Sequence, residues 1–187
     1  GINYNYTVDW GDGDITIGVR KSIIHRYSNA GKHTIKISGE FPYIKAENNK
    51  QLQTITQWGD IEWKSFYKSF KNCPNLDVNA KDTPNLSYVT STYAMFEKAS
   101  SLKGNKYFNN WNVNNITDMQ RMFSDTNVFN QALDNWDVSN VKNFEYMFNM
   151  ADTFNQPLNS WNVGNAQYMT GMFQGAVAFN GNMCRWN

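Results

Sequence analysis

The chain has 187 residues, 41% hydrophobic and 16% aromatic, with 17 basic and 16 acidic side chains for a net charge of +1. That balance excludes the basic face of a nucleic-acid binder and a polybasic membrane-surface module. No apolar run reaches the roughly 18 residues of a membrane-spanning helix, and Cys73 and Cys184 form neither a disulfide framework nor a zinc-binding spacing.

The first elements are strands. Tyr4, Tyr6, Val8 and Trp10 alternate with polar residues, as a half-buried strand does. Gly11-Asp12-Gly13 signals a turn, and Ile15 and Ile17 alternate again beyond it. His33 to Ser38 repeats the pattern with Ile35 and Ile37 on one face, before Gly39 and Pro42 end the segment. Residues 1–41 therefore read as a small antiparallel sheet, too small to stand alone and expected to cap the repeats that come after it in the chain.

From residue 42 onward the chain repeats. Trp111, Trp136, Trp161 and Trp186 recur every 25 positions, as do Met122-Phe123, Met147-Phe148 and Met172-Phe173. Phe129-Asn130, Phe154-Asn155 and Phe179-Asn180 keep the same step. Ser69-Phe70 and Met95-Phe96 mark two diverged earlier units, giving about five, the last one incomplete. Within a unit, Leu133-x-x-Trp136-x-Val138 reads as a short strand. Val141, Phe144, Met147 and Phe148 then form a helical stripe behind Ser139 and Asn140 as N-cap types. The expected fold is an α/β repeat solenoid, a short strand plus a short helix per unit, with a β cap at its N-terminus. Stacking would bury the Trp residues, their N–H groups bonded to loop carbonyls. It would also set the Phe-Asn amides in a bonded ladder and hold the two thiols too far apart to join.

The sequence carries two family resemblances. Val8-Asp9-Trp10-Gly11-Asp12-Gly13, with His25-x-Tyr27 and Gly31-x-x-Thr34-Ile35-x-Ile37, resembles the middle of a PKD-type module. Asn135-Trp136-Asp137-Val138-Ser139-Asn140-Val141, Met147-Phe148 and Phe154-Asn155-Gln156-Pro157-Leu158 resemble the BspA-like leucine-rich-repeat surface proteins of bacteria. The second resemblance implies a secreted or surface-anchored bacterial protein, and some members of that family are adhesins.

No motif here carries catalysis: His25 and His33 lack a nucleophile partner, and His25 reads as a turn-fixing residue. No cofactor is expected. Asp9, Asp12 and Asp14 offer oxygens for calcium, against the simpler reading of a turn bonding its own backbone. Asp118, Asp125, Asp134 and Asp137 show no paired-carboxylate spacing for sugar hydrolysis. Asn112, Asp137 and Asn162 alternate with buried Trp and Val, and form the candidate binding row. The resulting expectation is a non-enzymatic adhesion protein that takes a protein ligand, such as a host or matrix protein, on its outer face. The alternatives are a structural spacer or a carbohydrate-binding module. The open last unit offers a surface for self-association.

Overall fold

The computed structural model describes residues 3–181 together with Met183, Cys184 and Trp186. The end of the incomplete last unit, at Asn187, lies outside the described residues. The chain divides into two compact units, Gly1–Pro42 and Tyr43–Asn187.

In the first unit, β1 (Asn5–Asp9) is the centre of a three-stranded antiparallel sheet, flanked by β2 (Ile15–Val19) and β3 (Lys36–Glu40). Tyr6, Val8, Trp10 and Val19 form its core, with Tyr4, Tyr27, Ile37 and Phe41 packed against them. A register shift between Tyr6 and Val8 turns β2 over. Val19 therefore points inward, while Ile15 and Ile17 stand 61% and 79% exposed. Sequence alternation alone does not reveal that shift.

The second unit corrects the expected α/β solenoid of strand and helix. Among its described residues there is no α-helix, only a 3-10 stretch at Lys106–Asn110 and a two-residue parallel pair, β4 (Thr54–Ile55) with β5 (Asp77–Val78). The Leu-x-x-Trp-x-Val segments are not strands; the Trp136 amide closes a turn onto the Leu133 carbonyl at 3.1 Å. The Met-Phe segments are runs of β-turns, closed by Met95 onto Thr92, Met122 onto Met119 and Met147 onto Phe144.

The cause lies in where the amides point. An α-helix needs each N–H to bond four residues back. Here Lys68, Phe70 and Asn72 donate instead to Tyr93, Met95 and Glu97 of the next repeat, at 2.9, 2.9 and 2.6 Å. The same pattern carries Arg121, Phe123 and Asp125 onto Glu145, Met147 and Asn149. The residue pairs Lys68/Asn72, Ala94/Lys98, Arg121/Asp125 and Tyr146/Met150 all have positive φ, between 52° and 62°. A left-handed residue costs an L-amino acid about 1–2 kcal/mol. Every one of these eight nevertheless aims its N–H at the following repeat, and that bond is what the conformation obtains. Gly171 and Gly175 occupy the equivalent positions in the last repeat, where no Cβ opposes the turn.

Successive repeats therefore lie in contact through isolated parallel bridges, Ser91 to Asp118, Asp118 to Asn143 and Asn143 to Tyr168. Their interiors are continuous aromatic columns. Trp111, Trp136, Trp161 and Trp186 stack at centroid separations of 6.3, 6.4 and 6.4 Å. Phe96, Phe123, Phe148 and Phe173 form a second column at 5.9, 5.7 and 5.6 Å. Three indole N–H groups of the first column are satisfied by the repeat before: Trp136 donates to Phe108 O at 2.7 Å, Trp161 to Leu133 O at 2.8 Å and Trp186 to Leu158 O at 2.9 Å. Burying each such ring contributes about 1.5–3 kcal/mol, and each stacked pair about 0.5–1.5 more. Lys71 and Glu97, equivalent positions in neighbouring repeats, add a largely buried ion pair at 2.9 Å. No disulfide joins Cys73 to Cys184, and burial pushes the Cys73 thiol pKa up.

Candidate functional site

The outer surface of the repeats is organised by short side chains that accept from the backbone two residues ahead. Asn112 Oδ1 accepts from Asn114 N at 3.3 Å, Asp137 from Ser139 N at 3.1 Å and Asn162 from Gly164 N at 3.1 Å. All three residues are exposed and lie on one row. Sequence reasoning missed a fourth member, Asn85, whose Oδ1 accepts from Ser87 N at 3.1 Å; the diverged spacing of that repeat hid it. The row is thus a set of turn caps, with one oxygen of each side chain already committed. Ser139, through its hydroxyl and amide, holds the Asp137 carboxyl below the ordinary carboxylate range.

Two further rows carry amides between repeats. Asn140 Nδ2 donates to Asn114 O at 2.8 Å and Asn165 Nδ2 to Ser139 O at 2.6 Å. Asn155 N donates to Asn130 Oδ1 at 2.9 Å, and Asn180 N to Asn155 Oδ1 at 2.8 Å. The frequent asparagines therefore hold turns and bridge repeats. The scattered acids do similar work. Asp118 takes the Ser91 hydroxyl and the Gln120 amide, Asp125 the Ser124 hydroxyl and Asp134 the Asn109 amide.

The surface that differs from repeat to repeat lies at the left-handed turns. Tyr67 and Tyr93 stack at 5.0 Å with the Lys68 ammonium nearby, and Arg121 sits 4.5 Å above the Tyr146 ring. The equivalents of Tyr67 and Tyr93 further on are Gln120, Glu145 and Thr170. Nothing in the repeat motif marks these positions, because no buried partner constrains them.

In the N-terminal unit, the calcium triad read as Asp9, Asp12 and Asp14 separates. Asp9 Oδ1 accepts from Gly11 N at 2.9 Å, closing its own turn. Asp12 Oδ1 accepts from Asp14 N at 3.1 Å, and Asp12 Oδ2 meets His25 Nε2 at 2.7 Å. The His25 hydrogen bond, helped by the Asp14 amide, holds the Asp12 carboxyl below its usual value. The His25 ring stacks on Trp10 at 4.6 Å and meets the edge of Tyr27 at 4.7 Å. Tyr27 in turn donates its hydroxyl to Trp10 O at 3.0 Å.

Fold and surface together define a repeat protein whose units are bound to one another by backbone donors, amide rows and aromatic columns. Residues 64–186, about two thirds of the chain, match the family described as "Mycoplasma protein of unknown function, DUF285", and the chain belongs to that family. No curated protein and no solved structure matches it. The family match overturns the resemblance to BspA-like leucine-rich-repeat surface proteins, whose strand-and-helix unit is also absent from the fold. It begins at residue 64 and lends nothing to the PKD-like reading of the first segment. Among the described residues no helix is long and apolar enough to cross a membrane.

Proposed function

We propose that this chain is a non-enzymatic binding protein, secreted or held at the cell surface, that recognises a protein ligand through the outer face of its repeats. The observation that supports this reading is the contrast between the two sides of each unit. Inside, the same ring types recur in register. Outside, at fixed backbone positions, Tyr67, Tyr93, Gln120, Glu145 and Thr170 follow one another. A rigid frame with changing outward side chains is how many repeat proteins present a binding face. Asn112, Asp137 and Asn162 form a second exposed row on the same repeats. With Oδ1 pinned by a turn, the Nδ2 groups of Asn112 and Asn162 are donors with little freedom left to lose on binding.

The test is direct binding of the immobilised full chain to purified extracellular-matrix proteins. Saturable binding weakened at least tenfold by Asn112→Ala, Asp137→Ala and Asn162→Ala together would support the row, a loss of about 1.4 kcal/mol or more. Saturable binding unaffected by that triple change removes the row. No saturable binding to any of them favours a structural spacer. Protease treatment of intact cells that make the protein checks its location; full protection contradicts an outer-surface position.

A further inference from the structure

Asp12, Asp14 and His25 bring two carboxylates and one imidazole nitrogen within 4.8 Å of one another. We propose that these three side chains bind a divalent transition-metal ion, zinc in the first instance, at the turn that follows β1. This site is independent of the repeat face and of the function proposed for it.

The donor set selects the class of ion. Calcium takes six to eight oxygen ligands, and an imidazole is a poor member of that set. One nitrogen and two carboxylate oxygens suit zinc and its neighbours, with water completing the shell. The ring is already fixed. Trp10 covers one face at 4.6 Å, Tyr27 abuts it at 4.7 Å, and the His25 side chain is only 14% exposed. Its Nε2 is thereby aimed at the carboxylates, so little side-chain entropy remains to be lost on binding.

Asp14 is the informative member. Asp9 and Asp12 spend carboxylate oxygens on the turn itself. Asp14 contributes its backbone carbonyl to Trp10 N at 3.1 Å, while its carboxylate has no hydrogen bond among the described residues. It projects toward the pair already formed by Asp12 and His25.

Binding is an exchange. The proton between His25 Nε2 and Asp12 Oδ2 is given up and the ring keeps, or takes from solvent, a proton on Nδ1, so that the Nε2 lone pair of a neutral imidazole and the carboxylate oxygen bond the ion instead. Two ligands at about 2.0–2.1 Å from a tetrahedral ion lie roughly 3.3 Å apart. The present 2.7 Å contact must therefore open by about 0.6 Å. The exposed Gly11-Asp12-Gly13 turn, with φ of 76° at Gly11 and 103° at Gly13, is where that adjustment falls. The ion would tie the loop carrying His25 to the β1–β2 turn.

The experiment titrates zinc alone into the metal-stripped 187-residue chain by calorimetry, in a Cys184→Ser background because that thiol is exposed. Nickel is titrated in parallel, read by quenching of Trp10 fluorescence against a Trp10→Phe reference. One ion per chain is expected, with affinity reduced at least tenfold in Asp14→Asn and abolished in His25→Gln. Asp14→Asn is decisive, since it removes the charge of one ligand without breaking a hydrogen bond of the turn. No saturable zinc binding, equal affinity in Asp14→Asn, or calcium binding as tightly as zinc would each overturn the proposal.

Discussion

Replacing Lys98 by glycine should stabilise the protein, although the surrounding sequence pattern reads as a helix. Lys98 is exposed, has a φ of 62°, and donates its amide to Ser124 O at 2.9 Å. Relieving a left-handed L-residue recovers about 1–2 kcal/mol. The greater freedom of glycine in the unfolded chain returns about 0.5–1 kcal/mol of that. The net gain is about 0.5–1 kcal/mol, which raises the urea midpoint by about 0.2–0.5 M at a typical slope. In a helix the same change would cost about 1 kcal/mol, so the two architectures differ in sign. Lys98→Val widens the gap, because a β-branched residue resists positive φ most strongly. Urea unfolding followed by tryptophan fluorescence reads both variants. A glycine variant less stable than wild type, with valine neutral, would refute the turn-based account of these segments.

Gly171→Ala should destabilise by more than about 1 kcal/mol, since φ is 62° and the new Cβ would collide with the Tyr146 ring. Adding Tyr146→Ala should restore the steric part but not the backbone part, and thermal melts of the single and double variants separate the two. Trp136→Phe should cost about 1–3 kcal/mol in chemical denaturation through a lost indole donor and a small cavity; a neutral result would show that the bond to Phe108 O contributes nothing. The Asp137 carboxyl should titrate below its ordinary value when followed by carbon-detected NMR, and Ser139→Ala should move it back up. Because the folded value is depressed, any stability from this cap is full above the unfolded value and is lost as pH falls through the folded one. An Asp137 midpoint at or above the ordinary value would contradict the capping geometry.

The 25-residue step was legible because a ring buried in one repeat needs a matching ring in the next, as Trp111, Trp136 and Trp161 show. The conformation between those rings was not. Val141, Phe144, Met147 and Phe148 fall at helical spacing, yet chained β-turns bury the same positions, and all four are buried here. Periodicity reports which side chains point inward, not where the amides go. Positive φ at Lys68, Ala94, Arg121, Tyr146 and Met150 is invisible to residue type, since these residues ordinarily favour right-handed conformations. The bonded asparagines at Phe-Asn and the buried indole donors were readable from recurrence. Alternation with Trp and Val marks Asn112, Asp137 and Asn162 as outward-facing, but not their capping bonds to the residue two ahead. In the first unit, the meeting of Asp12 with His25 spans 13 residues of irregular chain. Only the flanking aromatics Trp10 and Tyr27 hint at it.

Because the amides of the eight left-handed residues from Lys68 to Met150 are satisfied by the next repeat along the chain, these stabilising bonds are shared between neighbours. Such a chain tolerates growth or shrinkage by whole copies, since a duplicated segment brings its own donors, acceptors and rings in phase. Steps of 26 residues from Phe70 to Phe96 and 27 from Phe96 to Phe123, against 25 further on, show that an extra residue or two inside a copy is absorbed while the rings stay stacked.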